Sequence, residues 1–456
     1  MSISDPNAEY AFNELEDLQS SAFRADFYEM TMASAALQAG TADQRTTFEL
    51  FARKLPTGRR YGVVAGVDRA LDAVENFRFG EYQLNYLAEQ PAISDELIDR
   101  LADFRFTGTL TGYEEGSLYF PYSPILRVEG SFLECVLLET VLLSIYNHDS
   151  AIAGAASRMV QAAAGKFPLI EMGSRRTHED SAVAVARAAY IAGFAATSNI
   201  EAAYRYEIPL TGTAAHAFTL SFEDERDAFR AQVNSLGAGT TLLVDTYDIE
   251  QGIRNAVEVA GTELGAIRID SGDLHEETVK ARQLLDSLGA ISTRIILSSD
   301  IDEYSLSNMV ERGTPVDGAG AGTRVATGSG HPTCGMVYKL VEREAADGTM
   351  VPVAKRAAGK KSLGSRKTVR RFFDQDGKLV DEILFDRATG EPELIPGFAQ
   401  SRMADPQRLL YSDGTAQPSG LDRSRERLAH QLEMLPKETL SVVAGDSYLE
   451  AHGYGA

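Results

Sequence analysis

Between about residues 130 and 325, short apolar runs alternate with stretches of helical period, and this rhythm restricts the fold to a parallel sheet or barrel wrapped by helices. The runs are PLIEM (168–172), EIPLT (207–211), TTLLVD (240–245), GAIRID (265–270) and RIILSS (294–299), with VDGAG (316–320) a weaker one. Between them, 274–288 places Leu274, Thr278, Ala281, Leu285 and Leu288 on one helical face, and Gly289 supplies a stop. Each apolar run leads into a short polar one: GSRRTH, GTAAH, TYD, SGD, DID and AGTR. Barrels and open parallel sheets carry their sites at the C-terminal ends of the strands, so the polar chemistry falls where such a fold uses it. The number of strands, with no dominant GxGxxG, favours an α/β fold of the irregular barrel type over 130–330. Residues 1–129 read as an α+β domain, partly completed by 331–456.

Composition narrows the function classes. The net charge of −22 repels nucleic acid as a general partner, yet permits a small phosphorylated ligand held by a few local arginines. The most apolar stretch, 132–146, is too short for a membrane span and holds Glu134 and Glu139; it reads as a buried helix. The acidic N-terminus lacks the apolar core of a signal peptide. Two cysteines, Cys135 and Cys334, stand outside any CxxC pair, which suits a reducing cytosol and suggests no zinc site.

Five constellations carry chemistry. In TGTAAHAF, His216 follows a strand in a loop opened by Gly212; a base, a nucleophile, a metal ligand and a satisfied structural histidine are all compatible with that place. In IRIDSGDL, alternation puts Arg268 and Asp270 on one face. There Arg268 either clamps a carboxylate through its planar fork or pairs with Asp270. In DGAGAGTRV the glycines bare backbone N–H groups as an anion nest, or make a tight turn, with Thr323 and Arg324 directly behind. EMGSRRTH presents two adjacent arginines to an anion, one of them expected to face solvent. In DFYEMTM, Tyr28 lies on a helix, where an aromatic is ordinarily core. A separate run, 355–371, carries eight basic side chains and reads equally as a solvated face or a phosphate site.

Taken in order, DFYEMTM, EMGSRR, TGTAAH, LLVDTYD, RIDSGDL, LSSDID and GAGAGT resemble the nicotinate phosphoribosyltransferase family, over roughly residues 24–340. The resemblance implies a cytoplasmic, dimeric enzyme of NAD salvage that uses nicotinate, phosphoribosyl pyrophosphate with Mg2+, and ATP. His216 would carry a phosphate from ATP, with Asp245 orienting its ring. Thr213 and Arg268 would hold nicotinate, Arg268 on its carboxylate, while Tyr28 would stack on the pyridine ring across a dimer interface. Arg175 would meet substrate, Asp270 the ribose hydroxyls, and Gly320, Gly322 and Thr323 the phosphate. Two departures stand out. Met172 occupies a position where the family commonly has an aromatic, and Leu363-Gly364-Ser365 replaces a Pro-Gly turn. A nicotinamide-using relative and a non-catalytic homologue that binds phosphoribosyl pyrophosphate are the competing readings. A barrel aldolase or isomerase fits less well, since no candidate strand ends in lysine.

Overall fold

In the computed structural model, which describes residues 20–355, 364–386, 390 and 402–454, the apolar runs build a six-stranded sheet. Its strands are β1 (Leu169–Glu171), β2 (Ala196–Thr197), β3 (Thr241–Leu243), β4 (Ala266–Ile269), β5 (Arg294–Ser299) and β6 (Gly318–Ala321). Their spatial order is β2-β1-β6-β5-β4-β3 and every pairing is parallel. Helices cover such sheets, so the strands are apolar runs rather than alternations. Leu169, Leu242, Ile267, Ile269, Ile295, Leu297, Ala319 and Ala321 are accordingly all buried. β2 and β3 remain edges, which makes the sheet a curled half-barrel rather than a closed cylinder.

The polar runs after the strands divide into two kinds. The last aspartate of TYD, SGD and DID caps the helix that follows: Asp248 for Ile249–Ala260, Asp273 for Leu274–Ser287 and Asp302 for Glu303–Glu311. Each carboxylate accepts backbone N–H groups from the first turn, worth about 1 kcal/mol per cap. His178 caps Glu179–Ile191 in the same way. These residues start helices, and only the earlier members of the runs remain for a site.

One expected strand does not form. EIPLT joins the sheet at a single residue, Leu210 bridging Thr197, because Glu207 takes a left-handed conformation (φ 56) and Pro209 has no N–H to donate. The strand in its place is β2, from GFAATS, a sequence whose small residues hid it.

The chain divides into two units. One comprises 151–332 with 437–444, and the other 1–150, 333–436 and 445–456; the unit boundaries thus lie at 150/151 and 332/333, against 129/130 and 330/331 in the sequence reading. The added stretch belongs with the N-terminal unit because Phe132–Leu137 directly continues the strand Leu126–Ser131, capped by Ser131 and Glu134. The apolar stretch 132–146 forms two helices rather than one, parting at Leu138 before the long helix Glu139–Ala163. Among the described residues no helix is long and apolar enough to cross a membrane.

N- and C-terminal segments share one antiparallel sheet in the N-terminal unit. Arg45–Ala52 pairs with Met336–Glu344, and Thr109–Tyr113 with Gln407–Ser412. Residues 356–363 of the basic run lie outside the described residues, as does the acidic N-terminus 1–19. The described arginines and lysine beyond them are neither a solvated face nor an open anion site. Arg366 pairs with Glu129 (3.0 Å), Lys367 with Glu49 (2.6 Å), Arg370 with Asp405 (2.9 Å) and Arg371 with Glu382 (2.7 Å). Lys367, Glu49, Arg371 and Glu382 are buried, so these pairs are internal ties whose partners compensate one another's desolvation.

Glu29, on the helix Phe27–Gln38, is fully buried. Its Oε1 accepts the Thr140 N–H (2.8 Å) and the Thr140 hydroxyl (2.5 Å), while Oε2 has no partner among the described residues. Burial, with Glu139 and Asp26 nearby, outweighs the Thr140 bonds and pushes the carboxyl up to about 7. An unfolded glutamate ionises near 4.3, so between that pH and about 7 the unfolded chain binds fewer protons and stability falls as pH rises. Glu29→Gln cannot ionise. Its stability advantage over the parent is expected to widen by roughly 2–3 kcal/mol between pH 4 and pH 8. Parallel melting curves at the two pH values check this, and a constant gap contradicts it.

Candidate active site

Register sets which side chains meet at the C-terminal end of the half-barrel. Leu243 lies beside Arg268, Arg268 beside Ile296, Ser298 beside Gly320, and Gly320 beside Ile170. Because side chains alternate with period two, Asp245, Arg268, Asp270, Ser298, Gly320, Gly322 and Met172 share one face. All of these except Asp245, together with Arg175, Arg176, Ser299, Asp300 and Thr323, line a cavity of about 170 Å3.

Asp245 stands just past β3, its side chain almost wholly buried (1% exposed), and it holds the ring of His216. His216 opens the short helix His216–Leu220, and its Nε2 lies 3.0 Å from Asp245 Oδ1. The other carboxylate oxygen accepts the Asp270 N–H (2.8 Å) and the Ser271 hydroxyl (2.7 Å). The carboxylate is therefore fixed from β4 and the ring is fixed from the carboxylate. The His216 side chain is 40% exposed.

This geometry depends on a close approach behind Asp245. Gly252 of the helix Ile249–Ala260 packs on the carbonyl of Val244, where a Cβ would stand 2.2 Å from the oxygen. Backbone cannot give way as a side-chain tip does. Gly252→Ala is expected to push the helix off the strand and cost about 3 kcal/mol. Thermal unfolding measures this; an unchanged melting temperature contradicts it.

Arg268 points from β4 into the cavity, its side chain 11% exposed. Nε donates to Ser298 Oγ (2.6 Å), and Nη1 to Thr213 Oγ1 (3.1 Å) and the Ala214 carbonyl (3.2 Å). The loop that carries His216 is thereby tied to β4. Nη2 stands 3.8 Å from Asp270 Oδ1, a charge contact too long for a hydrogen bond. Of the two readings of this pair, the charges do pair, at ion-pair distance and without a direct hydrogen bond. Burial lowers the Arg268 pKa from its ordinary value; the opposite charge of Asp270 offsets part of this and the like charge of Arg175 adds to it.

Both Arg175 and Arg176 border the cavity, and both remain exposed to solvent. The turn Ser174–Arg176 carries them. Buried Glu171 braces it, accepting the Gly173 N–H and, at 2.6 Å, the Thr197 hydroxyl, while Asn199 donates to Ser174 Oγ at 3.0 Å. Burial raises the Glu171 pKa above the ordinary carboxylate range, and these bonds act against it. Three guanidinium groups thus face the carboxylates of Asp270 and Asp300 across the cavity, a local excess of positive charge in a chain of net −22.

Gly320 sits inside β6, paired on both sides, and the Met172 thioether packs where its side chain would be: a Cβ would come within 2.5 Å of Sδ. Its contribution is room for Met172 more than an exposed amide. Gly322 and Thr323 follow at the start of the short helix Thr323–Ala326. Tyr28 belongs to the N-terminal unit and is not among the residues lining this cavity; it is 44% exposed, and burial of its phenol, with Glu139 and Glu29 nearby, pushes its pKa up to about 12. Ser298, Ser271, Asp300 and the Glu171–Thr197 brace escaped the sequence reading. Period-two parity through RIILSS points to Ser298 once strand register is known; nothing local marks the others.

The chain is similar to known proteins along most of its length. Residues 23–147 match the model of the nicotinate phosphoribosyltransferase (NAPRTase) N-terminal domain family. A nicotinate phosphoribosyltransferase of Mycobacterium tuberculosis is 52% identical over 434 residues, 92% of each chain. One from Bacillus subtilis is 39% identical over 377 residues, 80% of this chain and 75% of that one. The crystal structure of human nicotinic acid phosphoribosyltransferase superposes with a TM-score of 0.79 at 26% identity, covering 93% of this chain and 97% of the human one. With half of its residues shared across nearly the full length of the mycobacterial enzyme, and with the human fold, this chain belongs to the nicotinate phosphoribosyltransferase family.

Proposed function

We propose that the chain joins nicotinate to the ribose of phosphoribosyl pyrophosphate, releasing pyrophosphate, and couples this step to ATP through a phosphate carried on His216. The observation that carries the proposal is the guanidinium of Arg268: it projects into a positively charged cavity and is bonded to the loop that bears His216. A carboxylate-bearing ring fits that donor, with its ring nitrogen directed at ribose C1. Asp270, Gly322, Thr323, Arg175 and Arg176 line the same cavity, which supports a reading in which Asp270 meets the ribose hydroxyls and the others the phosphates.

As the bond from C1 to pyrophosphate breaks, positive charge grows at C1 and negative charge on the leaving group. Nitrogen's lone pair then forms the new bond. The protein's part is to align the two partners and to hold the departing anion with fixed positive groups. A Mg2+ would be carried on the substrate phosphates, with Asp270 or Asp300 of the cavity beside it. Bound there, it would neutralise charge on the pyrophosphate.

For the ATP step, Nδ1 of His216 is the nucleophile. Its lone pair bonds the γ-phosphorus, ADP leaves, and the Nε2–H donated to Asp245 stabilises the charge gained by the ring. Phosphate at this position adds charge beside the cavity and biases its binding of pyrophosphate. We further read the protein as a cytoplasmic homodimer of NAD salvage that borrows the partner's Tyr28. Phe23, Phe27, Tyr82 and Tyr86 are exposed as well, and the rings of Phe23 and Tyr86 pack edge to face at 5.9 Å, which supports contact with a second copy.

The test is product formation by the purified protein with phosphoribosyl pyrophosphate, Mg2+ and ATP, offering nicotinate and nicotinamide in competition. Nicotinate mononucleotide is the expected main product. Preference for the amide would support the nicotinamide-using reading instead, and binding of phosphoribosyl pyrophosphate without turnover the non-catalytic one.

A further inference from the structure

Arginine has five N–H donors, one on Nε and two on each terminal nitrogen. In Arg268 two of the three nitrogens are engaged by protein: Nε by Ser298 Oγ, and Nη1 by Thr213 Oγ1 and the Ala214 carbonyl. The third, Nη2, has no partner among the described residues closer than Asp270 Oδ1 at 3.8 Å. An arginine in an open site offers a carboxylate two nitrogens at once, along the Nε edge or across the two termini. Here both pairs are interrupted, the first by Ser298 and the second by the 213–214 loop.

Ser298 is suited to this task. It lies near the end of β5, in register with Gly320 of β6, and is 4% exposed. The residue also borders the cavity. Rigid on a paired strand, it stops the guanidinium from turning about its own axis.

We propose that Ser298 is a positioning residue for the reaction: it locks Arg268 so that Nη2 alone is presented to the acid group of the substrate. The inference rests on the nicotinate reading given above. Recognition through one nitrogen demands accurate aim, so loosening the guanidinium weakens binding of the acid substrate and leaves the phosphoribosyl substrate untouched.

Steady-state kinetics of the full chain and four variants, Ser298→Ala, Ser298→Thr, Arg268→Ala and the double variant Arg268→Ala/Ser298→Ala, test this. Ser298→Ala is expected to raise KM for nicotinate about tenfold, the worth of one hydrogen bond to a charged group, with KM for phosphoribosyl pyrophosphate unchanged. Ser298→Thr, which keeps the hydroxyl, restores most of the loss. In the Arg268→Ala background, Ser298→Ala has no further effect on kcat/KM, because the group it acts through is gone. An equal rise in both KM values, a full Ser298→Ala effect without Arg268, or no effect at all overturns the proposal. Failure of the parent protein to use nicotinate overturns the underlying reading and this inference with it. Turnover by the parent, with Arg268→Ala impaired and Ser298→Ala normal, overturns the inference alone.

Discussion

Replacing His216 by alanine is expected to abolish transfer of the γ-phosphate of ATP to the protein and to make the rate of nicotinate mononucleotide formation independent of ATP. The side chain is half-open to solvent, so the fold should survive its loss. Acid-labile, base-stable label from γ-labelled ATP measures the transfer directly. Asp245→Asn is the graded companion. It keeps the shape but removes the charge that the Nε2–H meets at 3.0 Å, and labelling should slow by roughly 10- to 100-fold, the worth of a hydrogen bond to a charged group. Undiminished labelling of His216→Ala would place the phosphate elsewhere and remove the coupling scheme, leaving the transfer reaction to be judged separately.

Arg268→Ala is expected to lower kcat/KM for nicotinate by about 10²- to 10³-fold, since truncating one member of a buried, hydrogen-bonded charge set typically costs 2–5 kcal/mol. Three losses combine: the contact with the acid group, the partner of Ser298 and Thr213, and the positive charge facing Asp270. KM for phosphoribosyl pyrophosphate should move by only a few-fold. Arg268→Lys should recover little, because an ammonium cannot bond Ser298, Thr213 and Ala214 while still facing the cavity. A loss shared equally by both substrates would mean that Arg268 supports the fold of the site and does not read the acid.

Both predictions concern residues visible in the sequence, and the reason is parity. Arg268 and Asp270 lie two apart on a strand of a parallel sheet, so they must share a face, and strand ends in such sheets carry the ligand. His216 and Asp245 were individually ambiguous. Only the tertiary structure brings them together, from separate segments of the chain, at 3.0 Å. The aspartates of TYD, SGD and DID show the opposite case. Each loop offered an acidic group to the site, but the cap position, set by where the helix begins, used Asp248, Asp273 and Asp302 for backbone N–H groups.

Period and polarity are local properties, and they were enough to indicate a parallel sheet between 130 and 330, polar groups gathered at its strand ends, a helix around Tyr28 and the shared face of Arg268 and Asp270. Contacts between distant segments are not local. The engagement of Arg268 Nε and Nη1, the seating of Met172 on Gly320 and the internal pairing of Lys367 with Glu49 all join residues that are far apart in the chain. A residue's type declares what it can bond, but burial and register choose the partner, and those exist only once the strands have been ordered in space.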